Sequence, residues 1–117
     1  MKEWDRLKKR SDFLRVQAGG EKWVSKGVIV QTAPNNSENG RFGITVTKRI
    51  SKSAVVRNRI KRRLRAAAYD ILPLYAPKGI DIVLIGRAET ATRLYTDLQN
   101  DLKYCLKKLG YRQKEDL

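Results

Sequence analysis

Five apolar residues, Val56, Ile60, Leu64, Ala67 and Ile71, recur at intervals of four, four, three and four, and cations fill most of the positions between them. Only a helix with one buried side accommodates such a stretch, because at about 100° per residue the five fall within an arc of about 80°. With Val56 at zero, Arg57, Lys61, Arg65, Asn58 and Arg62 follow in angular order from about 100° to about 240°. One helix over 53–72, ended by Pro73, thus buries one side and offers a continuous cationic flank on another.

From Asn39 to Tyr69 there is no acidic residue, whereas Arg41, Lys48, Arg49, Lys52, Arg57, Arg59, Lys61, Arg62, Arg63 and Arg65 are basic, with nothing in the segment to neutralise them. A charge run is most often a solvated helix face. Such faces normally mix signs, and like charges at i,i+4 cost a few tenths of a kcal/mol each. The unrelieved series Arg57, Lys61, Arg65 therefore reads as a phosphate-binding surface, and the planar fork of arginine suits phosphate. Asn58, an amide among cations, is suited to a sugar or a base edge.

The whole chain points the same way. Its 26 Lys and Arg against 12 Asp and Glu leave a formal charge of +14, which attracts polyanions by releasing their condensed counterions. Nucleic acid is the first candidate partner. A membrane is second, but no apolar run approaches the roughly 20 residues of a spanning helix, and no apolar region follows Met1-Lys2-Glu3-Trp4, so a cytoplasmic protein is expected. There is no histidine, hence neither the usual general base nor the commonest metal ligand, and catalysis by the polypeptide alone is not expected. The single cysteine, Cys105, excludes an internal disulfide and lies on an apolar helical stripe, as a core thiol does.

Around the basic helix the other elements are short. Ser11-Asp12-Phe13-Leu14-Arg15-Val16 reads as a helix capped by Ser11 and stopped by Gly19-Gly20. Residues 22–32, broken at Ser25-Lys26-Gly27, suit one bent strand or two short ones. Residues 33–40 are nearly all turn formers and should join two antiparallel strands. Residues 41–47 alternate, with Phe42, Ile44 and Val46 on a packed face and Gly43, Thr45 and Thr47 on an accessible one. Residues 79–85 are apolar on both parities, which predicts a central strand buried on both sides. A last helix over 90–109 carries the stripe Ala91, Leu94, Leu98, Leu102, Cys105 and Leu109, closed by Gly110. The tail after 111 is polar and expected to fray. One domain spans 1–117.

The run Ala54-Val55-Val56-Arg57-Asn58-Arg59-Ile60-Lys61-Arg62-Arg63-Leu64-Arg65 resembles the RNR motif of the bacterial ribonuclease P protein family. The strand before it, Gly43-Ile44-Thr45-Val46-Thr47-Lys48-Arg49, is similar to the one that leads into that motif. The resemblance implies an α+β sandwich of order α-β-β-β-α-β-α, with a four-stranded mixed sheet and a left-handed βαβ crossover, as in ribosomal-type folds. Right-handed crossovers are the default, so that handedness comes from the resemblance alone.

The resemblance also implies a role as the protein subunit of an endoribonuclease that removes the 5′ leader of precursor tRNA. The catalytic centre and its Mg²⁺ would belong to the RNA subunit. Arg57, Asn58, Arg59, Lys61, Arg62 and Arg65 would bind RNA, helped by Lys48 and Arg49. The single-stranded leader would lie in a cleft between the first helix and the sheet, beside Phe13. Gln17 and Gln31 stand where the family often carries cleft aromatics, which shifts leader contacts toward hydrogen bonds and charge. Phe13 serves equally as a core residue, while Trp23 is expected in the core and Trp4 at the surface. A structural RNA-binding protein of ribosomal type, or a DNA-binding module with the helix in a major groove, would share the same charge and size.

Overall fold

The computed structural model describes residues 4–76 and 79–116. Its sheet is organised about the strand that is apolar on both parities. The chain runs β1 (Trp4–Arg6), α1 (Arg10–Gly19), β2 (Glu21–Val24), β3 (Val28–Pro34), β4 (Gly40–Thr45), α2 (Ala54–Ile71), β5 (Ile80–Gly86) and α3 (Tyr95–Lys108). The sheet order is β1-β4-β5-β3-β2. β5 lies at its centre, parallel to β4 and antiparallel to β3.

Three layers result. On one face Phe42, Ile82, Leu84, Val28 and Val30 pack against Ile60, Leu64 and Ile71 of α2 and Leu98, Leu102 and Leu106 of α3. On the other, Ala33 and Val83 pack under Val16 of α1, with Leu7 beside them and Phe13 partly buried at the edge. The helix α2 joins β4 to its parallel neighbour β5, so the basic segment is the crossover itself.

The interrupted segment 22–32 is two strands, paired from Glu21↔Thr32 to Val24↔Ile29. The turn-rich 33–40 does join strands of opposite direction, but they are not neighbours, because β5 is inserted between them. The sheet has five strands rather than four. β1 pairs in parallel with β4 and buries Trp4, but three residues are too few to show a period in the sequence.

Helix ends also differ from expectation. α1 begins at Arg10 with Lys9 at the N-cap and no side-chain cap, so Ser11 lies inside the first turn. Its stop is as expected: the Gly20 N–H donates to Val16 O at 2.9 Å, and a Cβ at Gly20 would lie 2.4 Å from Thr32 O. Only glycine fits that approach. α3 starts at Tyr95, not near 90, because the Thr90 hydroxyl donates to Gly27 O at 2.5 Å and fastens a 3-10 turn, Ala88–Ala91, to the β2–β3 hairpin. Leu94, expected on the buried stripe, is consequently 71% exposed. Gly110, at φ 96°, turns the chain after α3. The chain beyond it forms a bridge between Tyr75 and Gln113.

Candidate nucleic-acid interface

The helix α2 is set in place by its apolar stripe. Ile60, Leu64, Ala67, Ala68 and Ile71 are buried, and the Ser53 hydroxyl caps the first turn by accepting from the Val56 N–H at 3.3 Å. Arg57, Lys61 and Arg65 are half-buried along one border of the stripe, as long cationic side chains are when their stems lie on apolar surface. Asn58 and Arg62 lie further round and are exposed. Among the described residues none of the five is paired with a carboxylate. Asp70, the first acid after the run, accepts from Tyr95 Oη at 2.5 Å and Gln99 Nε2 at 3.1 Å, which turns it toward α3. The Nε of Arg65 is buried with no hydrogen-bond partner.

Lys48 and Arg49 are exposed in the turn that leads into α2. Arg57 donates to Ser51 O at 2.8 Å and ties that turn to the first turn of the helix. Lys48 and Arg49 thus lie just ahead of the end of α2 that carries Arg57. Arg59 is separated from the arc. Its Nε donates to Ala91 O at 2.9 Å on the opposite flank, and its neighbour Arg63 donates to Thr90 O at 2.8 Å and to Arg93 O. These two arginines fasten α2 to segment 88–93. Arg63→Ala is accordingly expected to lower unfolding free energy by about 2 kcal/mol, from two lost charge-assisted bonds, while the salt dependence of RNA binding stays unchanged. Chemical denaturation and a salt titration on the same variant check both halves.

Arg41 also leaves the cationic set. It stands beside Asp81 in the β4–β5 register and donates to its carboxylate at 2.9 and 2.7 Å, with Asp12 at 3.5 Å. Asp81 is fully buried and also accepts from Asn35 Nδ2 at 2.7 Å and from Arg15 of α1. Burial pushes its pKa up, but the hydrogen bonds from Arg41 and Asn35 outweigh that and hold it below the usual carboxylate range. The ten cations are therefore not all unneutralised, because sheet register supplies a partner that sequence proximity does not show.

A concavity of about 440 Å³ opens between α1 and the end of β4. Phe13, Gln17, Lys8, Arg10, Thr45 and Thr47 are among the residues lining it. It brings together an aromatic ring, an amide, hydroxyls and two cations. Gln31 is not on its wall. It lies on β3, two strands from β4, 9% exposed, and its Oε1 is buried without a partner.

A family model of ribonuclease P matches residues 1–110. The chain belongs to the ribonuclease P protein family. It is 47% identical over 115 residues to the ribonuclease P protein component of Paramagnetospirillum magneticum, covering 94% of this chain and 86% of that one. To the corresponding protein of Gluconacetobacter diazotrophicus it is 43% identical, covering 94% and 95%. Among solved structures it is similar to the RNase P protein of Staphylococcus aureus, with a TM-score of 0.74, 30% identity and coverage of 90% and 94%. It is similar too to that of Thermotoga maritima, with a TM-score of 0.75, 29% identity and coverage of 89% and 96%.

In this ribonuclease P protein the two tryptophans exchange their expected places. Trp4 is 3% exposed beneath the sheet edge, and Trp23, on the edge strand β2, is 38% exposed. Phe13 is both a packing residue and a groove residue, because its ring sits on Gly43. A Cβ at Gly43 would lie 2.4 Å from Phe13 Cζ and 3.1 Å from Leu7 Cβ. That face, expected to stay accessible, is thus covered at Gly43 and open toward Thr45 and Thr47. Gly43→Ala is expected to swing the ring out and cost about 1–3 kcal/mol, and the double change Gly43→Ala/Phe13→Leu to recover part of it. Urea unfolding of the three variants measures this.

Nothing in the sequence spacing marked Arg41 and Asp81 as partners. The available signal was Asp81 itself, a lone carboxylate in the apolar run Ile80-Asp81-Ile82. Charges are almost never fully buried unless paired.

Proposed function

We propose that this chain acts as the protein subunit of ribonuclease P by binding the catalytic RNA with α2 and the single-stranded 5′ leader of precursor tRNA with the groove at Phe13. The observation that carries the reading is the arc Arg57, Lys61, Arg65, Asn58, Arg62. It has no carboxylate partner among the described residues, and the buried stripe beside it, with the bonds of Arg59 and Arg63 to segment 88–93, fixes it in place. Fixed guanidinium and ammonium groups at one-turn intervals follow a phosphate chain, and each contact releases counterions from the RNA.

The chain's contribution is positioning. Bond cleavage is assigned to the RNA subunit, with Mg²⁺ on its phosphates supplying the charge stabilisation that phosphodiester hydrolysis requires. Among the described residues no three His, Cys, Asp or Glu side chains lie together, and the buried carboxylate of Asp81 is enclosed by Arg15, Arg41 and Asn35. No helix among the described residues is long and apolar enough to cross a membrane. The reading places the work in the bacterial cytoplasm, with precursor tRNA.

Reconstitution tests the reading against that of a structural RNA-binding protein of ribosomal type. Added to a bacterial ribonuclease P RNA at near-physiological Mg²⁺, the protein is expected to restore leader removal from precursor tRNA. No gain over the RNA alone would refute the subunit role. For the groove, Phe13→Ala is expected to weaken holoenzyme binding of precursor tRNA by roughly tenfold, the loss of one stacked base, and to leave mature tRNA binding unchanged. Equal losses on both would return Phe13 to a packing role alone.

A further inference from the structure

We propose that the groove between α3 and the returning C-terminal segment is a second site for single-stranded RNA, with an unpaired base stacked on Tyr104 and the adjoining phosphates held by Lys103, Lys107 and Arg112. The groove, of about 730 Å³, lies away from the α2 arc and the Phe13 groove and shares no lining residue with the latter. Asn100, Lys103, Tyr104 and Lys107 stand at i, i+3, i+4 and i+7 on α3 and so form one face. The stripe Leu98, Leu102, Cys105 on the same helix is the buried one. Gly110, at positive φ, then reverses the chain. The Tyr111 N–H donates to Leu106 O at 2.9 Å and Gln113 bridges to Tyr75, which sets Tyr111 and Arg112 along the other wall.

Tyr104 is 47% exposed yet held. Lys108, which does not line the groove, places its Nζ 5.6 Å from the Tyr104 ring centroid and 5.9 Å from that of Trp23. One cation thus bridges the two rings and fixes α3 against β2. An ordered, exposed ring beside cations is the arrangement on which unpaired bases stack, while the phosphates meet the charges. No acidic residue is among the described lining residues. A duplex hides its base faces, an acidic peptide has none, and a second copy of a chain carrying +14 is repelled.

The site does not depend on α2 binding the RNA subunit, and the test keeps the two apart. Fluorescence anisotropy with a labelled short oligoadenylate is run on the full chain in an Arg57→Ala/Arg62→Ala/Phe13→Ala background, so that the α2 arc and the Phe13 groove are both weakened in every arm. Tyr104→Ala is expected to lose about tenfold in affinity and Tyr104→Phe to retain it. Lys107→Ala/Arg112→Ala is expected to shallow the salt slope by about 0.7 for each lost phosphate contact. A short oligoglutamate is expected to compete poorly. Binding that ignores both variants, or displacement by oligoglutamate as effective as by RNA, would overturn the proposal. Repeating the Tyr104 pair on intact ribonuclease P RNA and on precursor tRNA assigns the strand to whichever RNA shows the loss; a loss on neither overturns it.

Discussion

Arg57→Ala/Arg62→Ala is expected to weaken binding to a ribonuclease P RNA by about two orders of magnitude and to flatten its salt dependence by nearly two units of slope. Each arginine offers a charge-assisted hydrogen bond to phosphate, worth about 1.5–3 kcal/mol, or roughly tenfold or more in affinity. Each phosphate released restores about 0.9 of a counterion on a duplex and about 0.7 on a single strand. The slope separates a contact from a folding defect, since a destabilised protein binds less at all salt concentrations but with the same steepness. Arg62 is exposed and its loss touches nothing internal. Arg57 also gives up its bond to Ser51 O, so its unfolding free energy must be measured alongside. An unaltered slope in the folded double variant would remove α2 from the RNA interface.

Asp81→Asn is expected to lower unfolding free energy by about 2–4 kcal/mol. Breaking a buried ion pair by removing one partner costs about 3–5 kcal/mol. That figure is reduced here because Arg15 and Arg41 are 42% and 31% exposed and keep part of their hydration. Against a total stability of about 5–15 kcal/mol the loss is large. Its pH dependence follows from the direction of the shift. The folded pKa lies below the ordinary carboxylate range, so the stabilisation is complete above the unfolded carboxylate's range and disappears as pH falls through the folded value. Urea unfolding from pH 7 to pH 2 is expected to show the wild type losing this increment below about pH 4, and Asp81→Asn lacking that portion. Parallel curves for the two proteins would show that the network does not stabilise the fold.

The basic helix, the central position of β5 and the Ser25-Gly27 break were legible in the sequence because each is written as a local period or its interruption. α2 matches its apolar spacing, and Cys105 is buried on the stripe where that spacing puts it. What the sequence did not show depends on which distant residues meet. Arg41 counted as a free cation until β5 came to lie beside β4 and presented Asp81. Arg59 and Arg63 sit within the same run as Arg62, but the side of α2 they occupy faces the carbonyls of segment 88–93. Trp4 looked superficial because a three-residue strand carries no pattern, and Trp23 looked internal because an edge strand carries the same residues as a central one. The start of α3 was missed because the Thr90 hydroxyl reaches the distant Gly27 O and a 3-10 turn takes the place of the first helical turns.

The tether formed by Arg59 and Arg63 has a further effect. A cylinder resting on a sheet by one stripe can still roll about its long axis, and a roll of a few tens of degrees would carry Lys61 and Arg62 together away from Lys48 in the preceding turn. Grips on three carbonyls, those of Thr90, Ala91 and Arg93, remove that degree of freedom before any ligand arrives. The entropic cost of assembling the array is then met during folding, and association should proceed as rigid-body docking with little change in backbone shape.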